Sequence, residues 1–256
     1  MPVIKQLEKS DTLVIACTGI GNKLNVSVED FFRASGLGLV SKIILIDSTT
    51  RLVLGGIQPE FASFAALVEY LKEEILNISP QNLIITGNSG GAHTAILLGH
   101  LLKANKVVCF APYPYLSKED FVRLGDPALK SMIRVMTRLE TLPDDVKKYF
   151  DLKQVLANWN DVTEYFIHVS KYHDWDHKRA MYLNESPKVL IVKHPYKTHA
   201  IVAPLAREDK LKQCFQFPYI NFDNKDYYQS HIKFLFKQYF KKVLQGLKKY
   251  LIKTIG

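Results

Sequence analysis

The segment Gly87-Asn88-Ser89-Gly90-Gly91 carries the strongest chemical signal in the chain. It follows the β-rich run NLIIT (Asn82–Thr86) and precedes the helical run AHTAILLGHLL, so the serine sits where a strand turns into a helix. In so tight a turn the two backbones nearly touch, and side chains two residues either side of the serine would clash; glycine at 87 and 91 meets that demand. The turn lifts the Ser89 hydroxyl above the sheet and aims a helix N-terminus at an oxyanion developing there. With Gly at about 7% of residues and Ser similar, a bare G-x-S-x-G arises by chance about 0.1 times in such a chain, and the flanking elements reduce this further. A serine alone is a poor nucleophile and needs a base, itself oriented by an acid. Five of the eight histidines lie between His168 and His199, and His173, Asp174, Asp176 and His177 crowd one loop. Such residues also bind divalent metals, but metal ligands usually converge from several elements, and no H-E-x-x-H or comparable spacing is present. No metal is expected. A phosphate loop is disfavoured because no Walker lysine or G-x-G-x-x-G follows.

The elements that must position these groups alternate along the chain. Thr12–Cys17, Lys42–Asp47, Asn82–Thr86, Lys106–Ala111, Val162–Val169 and Lys188–Lys193 read as strands, rich in Val and Ile and without clean polar alternation. Strands of that kind are buried on both faces, as in a parallel sheet. Helical patterns fall between them at about 26–34, 60–76, 90–101 and 176–183. The alternation predicts right-handed crossovers and an α/β, doubly wound, mostly parallel sheet of about six strands, with the chemistry on loops at the strands' carboxyl ends. The stretch from about 117 to 160 shows no strand pattern and reads as two helices, about 128–139 and 144–157, forming a small cap insertion. In the first, Lys130, Arg134 and Arg138 share one face opposite an apolar face of Leu129, Met132, Ile133 and Met136. The plain reading is a solvated face; a cap turned toward the site would place these three where an anionic substrate is held.

Composition sets the outer limits. The chain has 256 residues, 47% hydrophobic and 23% charged, which suits one α/β domain over 1–256 and excludes collagen-like, coiled-coil and disordered classes. No window supplies the ~20 apolar residues of a membrane span, and the charged start MPVIKQLEKS does not resemble a signal peptide. Cys17, Cys109 and Cys214 lie far apart, as free thiols in a reducing compartment do, so a cytoplasmic protein is expected. The net charge is +9. From Tyr227 to Gly256 there are seven lysines and no acid, and Lys233, Lys237 and Lys241 recur every four residues. This predicts a C-terminal helix with a solvated lysine face, or a docking face for an anionic polymer or the inner face of a membrane. No nucleic-acid module is recognisable, and no nucleic-acid partner is expected.

The strand–turn–helix serine motif, with histidine and aspartate loops after later strands, resembles the α/β-hydrolase superfamily. The resemblance runs from about Thr12 to Ala206 and lacks the family's first two strands, which implies a minimal version of that fold. It implies a triad in the order Ser, acid, His. Ser89 would be the nucleophile. His199, on the loop after the last strand, would be the base, with His194 as the fallback. Asp176, at the start of the following helix, would be the acid, with Asp174 as the alternative. The oxyanion would receive one N–H from Gly90 and one from Gly19 or Ile20, in a loop that resembles the family's oxyanion loop. The pattern is also similar to small bacterial α/β-hydrolase-like proteins of surface-glycan pathways, capsule O-acetyltransferases among them. The activity implied is serine-dependent acyl transfer on a small-molecule or glycan ester or hydroxyl, as an esterase or O-acyltransferase. No cofactor is implied, save acetyl-CoA as acyl donor for a transferase. The other class is a non-catalytic module that keeps the hydrolase scaffold for binding in glycan or protein export and assembly.

Overall fold

The Val- and Ile-rich runs gather into one sheet in the computed structural model, which describes residues 3–216 apart from 48, 128, 158, 159, 161, 186 and 187. The strands are β1 (Val3–Gln6), β2 (Thr12–Cys17), β3 (Ser41–Leu45), β4 (Asn82–Asn88), β5 (Lys106–Phe110), β6 (Glu164–Ser170) and β7 (Val189–His194). Their spatial order is β1-β3-β2-β4-β5-β6-β7. Every pair from β3 to β7 is parallel, whereas β1 runs antiparallel to β3 at the edge. The helices are α1 (Val28–Ala34), α2 (Phe64–Ile78), α3 (Gly90–Leu101), α4 (Lys118–Arg123), α5 (Lys130–Leu139), α6 (Asp144–Lys147), α7 (Leu152–Val155), α8 (Asp174–Met181) and α9 (Val202–Arg207), followed by a 3-10 turn at Leu211–Phe215.

Both faces of the sheet are covered, which is why its strands read as continuous apolar runs. Leu13, Ile15 and Cys17 of β2 pack with α2 and α3 in the larger core. On the opposite face Phe31 of α1 meets Phe110 of β5 at 6.2 Å and Phe215 at 5.9 Å between ring centroids. Helix α3 lies deepest, with ten of its twelve residues buried.

Several elements depart from the sequence reading. The sheet has a seventh strand, β1, which shows no apolar run because three of its four residues are exposed. Strand β3 stops at Leu45, and Asp47 turns aside to accept the backbone N–H of Thr49 at 2.9 Å and of Val53 at 3.2 Å. Among the described residues the insertion holds four helices rather than two. Helix α4 starts at a Ser117-x-x-Asp120 cap, in which Ser117 Oγ accepts the Asp120 N–H at 3.0 Å. The expected 144–157 helix is split into α6 and α7, because Phe150 O accepts the Leu116 N–H and Leu152 N–H donates to Pro114 O, both at 2.9 Å. Those bonds pull the chain out of helical register. On α5 the buried side is Met132, Val135, Met136 and Leu139, while Leu129 and Ile133 are exposed.

The insertion is tied to the sheet through α3. The buried His93 ring has Nδ1 2.8 Å from Tyr113 O and Nε2 2.9 Å from Tyr149 O. No helix among the described residues is long and apolar enough to cross a membrane. The expected lysine-rich helix over 227–256 lies outside the described residues.

Gly99 shows how closely α3 approaches the sheet: a Cβ there would fall 2.1 Å from Val107 Cγ2. Alanine normally favours a helix interior by about 1 kcal/mol over glycine. We expect the reverse here: Gly99→Ala lowers stability by about 1–3 kcal/mol through overpacking. The double variant with Val107→Ala should recover part of the loss, and urea unfolding of the four species measures that coupling.

Candidate active site

Three backbones converge at the start of α3. A Cβ on Gly87 would lie 2.4 Å from Gly91 O, and one on Gly91 would lie 2.4 Å from Cys17 O and 2.5 Å from Thr18 O. Gly91 is therefore required by the end of β2 as much as by the turn itself. Gly90 is also held, since its Cβ would meet Leu52 Cδ2 at 2.6 Å. Ser89 adopts φ 53° and ψ −123°, a conformation that costs a non-glycine residue roughly 1–3 kcal/mol. Its N–H donates to Phe110 O at 2.8 Å. The side chain makes no cap bond to its own helix, so the hydroxyl is available elsewhere.

It is directed at His199. Ser89 Oγ lies 2.9 Å from His199 Nε2, and His199 Nδ1 lies 2.7 Å from Asp176 Oδ1. Asp176 is fully buried, the His199 side chain is 17% exposed and Ser89 is half-buried, so the chain of bonds runs from the interior toward solvent. The loop bearing His199 is clamped by its neighbours. Ser170 Oγ donates to Thr198 O at 2.6 Å, and the N–H groups of Lys171 and Tyr172 donate to His194 O at 2.7 Å and Tyr196 O at 3.0 Å. Asp174 is exposed in the first turn of α8 and does not join this set. His194 points elsewhere, with its Nε2 2.9 Å from His168 Nδ1. His173 caps α8: its Nδ1 lies 3.2 Å from the Asp176 N and 3.2 Å from Asp176 Oδ2.

The loop after β2 abuts the serine turn, for a Cβ on Gly19 would lie 3.0 Å from Asn88 O. The Gly19 N–H itself is spent on Lys23 O at 2.9 Å. Ile20 N–H has no such partner among the described residues. The Gly90 N–H, in the first turn of α3, has no acceptor within its helix.

A buried ion network backs Asp176, and no local pattern announced it. Arg179, one turn further along α8, places Nη1 3.3 Å from Asp176 Oδ1. It also forks onto Asp126 from the insertion, with Nε to Oδ2 at 2.7 Å and Nη2 to Oδ1 at 2.6 Å. Tyr115 donates to Asp126 Oδ2 at 2.8 Å, and the guanidinium carbon lies 4.2 Å over the Tyr113 ring, whose centroid is 5.6 Å from that of His199. Arg179 is only 3% exposed. Burial alone would lower its pKa, but the Asp126 bonds, with the charges of Asp126 and Asp176, raise it overall. Burial likewise pushes the Tyr113 phenol up to about 12, so the ring stays neutral. Asp126 and Asp176 flank the Arg179 guanidinium, and the Asp176 carboxylate faces His199 Nδ1, a placement suited to a transient imidazolium.

The basic residues of α5 stand apart from this set. Lys130 and Arg134 are exposed, and Arg138 bonds Thr49 O at 3.0 Å and the Thr50 hydroxyl.

Solved structures share this architecture. A capsule O-acetyltransferase of Neisseria meningitidis serogroup A superposes with TM-score 0.55 at 15% identity, covering 84% of this chain and 90% of that one. An S-formylglutathione hydrolase from Agrobacterium tumefaciens gives TM-score 0.53 at 13% identity, covering 78% and 82%. Carboxyl esterase 2 from the fungus Tuber melanosporum gives 0.50 at 16% identity, covering 83% and 80%. The chain has the α/β-hydrolase fold. No protein-family model matches it, and no curated protein matches its sequence.

Removing Arg179 would strand two buried carboxylates. Arg179→Met should lose about 3–5 kcal/mol of stability at neutral pH. The deficit should shrink as pH falls through the carboxylate range, since protonation discharges the stranded groups. Urea unfolding of wild type and variant at neutral and acid pH checks this; a deficit independent of pH would show that packing, not charge, holds Arg179 in place.

Proposed function

We propose that the protein is a serine-dependent acyl-transfer enzyme, an esterase or O-acyltransferase, acting on a carbohydrate ester or hydroxyl. The reading rests on one observation above all, the hydrogen-bonded chain from Ser89 through His199 to the buried Asp176. In this reading Ser89 Oγ attacks an ester carbonyl carbon while His199 Nε2 takes the hydroxyl proton. Asp176 holds the ring with Nδ1 protonated and steadies the imidazolium. Gly90 and Ile20 N–H groups receive the oxyanion, Ile20 rather than Gly19 because the Gly19 N–H is already committed to Lys23 O. Collapse of the tetrahedral intermediate expels the alcohol, which leaves with the proton from Nε2, and an acyl-serine remains. Water or a sugar hydroxyl then attacks it, His199 again taking the proton. A transferase of this kind would draw its acyl group from a donor of the acetyl-CoA type.

The carbohydrate class is supported by likeness of fold to the capsule O-acetyltransferase and by the net charge of +9, which suits an anionic glycan.

Intact-mass labelling with a fluorophosphonate tests the serine chemistry. One adduct is expected on wild type and none on Ser89→Ala, while Asp176→Asn should lower ester turnover by roughly 10⁴-fold with labelling slowed in step. Folded wild type that takes no adduct overturns the reading. With an acetylated serine in hand, partition between water and glycan hydroxyls separates esterase from transferase.

A further inference from the structure

A second cluster of chemically capable side chains lies on the other side of the sheet. Along β6, Tyr165, Ile167 and Val169 enter the larger core, so His168 faces the opposite layer, stacked 5.1 Å from Phe110 at 26°. His194, the last residue of β7, stacks on His168 at 5.2 Å and 27°. The 3-10 turn brings Cys214 to the same place. One ligand atom from each of the three lies within 4.8 Å of the others. His168 and Cys214 are fully buried, and His194 mostly so.

Two imidazoles and a thiol, with no carboxylate among them, form a borderline-soft donor set. That set suits zinc and disfavours calcium or magnesium. We propose that His168 Nδ1, His194 Nε2 and Cys214 Sγ bind one zinc-class divalent ion, leaving a fourth position for water. Zn–N bonds of about 2.0–2.1 Å and Zn–S bonds of about 2.3 Å put tetrahedral ligand atoms about 3.3–3.6 Å apart. The two ring nitrogens stand at 2.9 Å, so they need to open only slightly while the sulfur closes in. Proton balance is simple. The hydrogen shared between the rings moves to the other nitrogen of its own ring, both facing lone pairs go to the ion, and the thiol proton leaves to solvent.

The position gives the ion a structural consequence. His194 is the root of the loop that carries His199, and its carbonyl already accepts the Lys171 N–H at 2.7 Å. A metal there would fasten that root to the 3-10 turn some twenty residues further on. The ligands come from positions 168, 194 and 214, too far apart for any short motif.

The test uses the full chain, stripped with a chelator and titrated with Co²⁺. We expect saturation at one ion per chain, with tetrahedral visible bands and a thiolate-to-cobalt charge-transfer band in the near ultraviolet, both displaced by Zn²⁺. Zn²⁺ should raise the thermal unfolding midpoint, and chelator should reverse the rise. Cys214→Ser should abolish the charge-transfer band, whereas Cys17→Ser and Cys109→Ser should keep it. Should Cys214→Ser not fold, His194→Gln carries the same comparison and should weaken Co²⁺ binding at least tenfold. Ser89→Ala should bind the ion as wild type does, so failure of the serine chemistry leaves this result standing. Absence of a saturable band in wild type, or a band undiminished in Cys214→Ser or His194→Gln, overturns the proposal.

Discussion

The contact on which the structure turns is the three-way meeting of β2, β4 and α3 at Gly87 and Gly91, where added Cβ atoms would fall 2.4 Å from backbone carbonyls. No side chain can shift to relieve such a clash, because the obstacles are main chain. Because both residues lack a side chain, α3 starts directly against the sheet and Ser89 is forced into a strained backbone conformation. The burial of nearly all of α3 opposes that strain. A helix less deeply buried would relax the turn and let the hydroxyl drift from His199.

Charge imposes the second constraint. A carboxylate as buried as Asp176 is costly unless compensated. Arg179 compensates it, but an equally buried guanidinium needs more than one distant partner, and Asp126 completes the set with a bidentate pair. Asp126 belongs to the insertion between β5 and β6. That segment is therefore part of the site's electrostatic frame, and His93 of α3 reaches it independently through Tyr113 O and Tyr149 O. Displacing the insertion would take Asp126 from Arg179, the cation that contacts the Asp176 carboxylate holding His199.

The histidine loop is secured differently. Its anchors are mostly backbone, from Lys171 and Tyr172, with one side-chain bond from Ser170. These fix where His199 sits without touching its ring, and they leave His194 to turn inward toward His168.

Much of this was legible in the sequence. The serine turn, six of the strands and the full extent of α3 follow from residues adjacent in the chain, where steric demand and apolar runs act locally. The edge strand β1 was not legible, because an exposed four-residue strand carries no apolar run. Helices α6 and α7 were read as one, because the bonds that divide them come from residues 114 and 116. Asp176 was named as the acid with Asp174 kept as the alternative, since both fit the same helix start and nothing local separates them. By itself the sequence determined the nucleophile turn and the order of elements, which depend on neighbours along the chain. Only the tertiary structure decided which carboxylate meets His199, and that Arg179 and Asp126 accompany it. Burial and ion pairing between residues 53 positions apart leave no local trace.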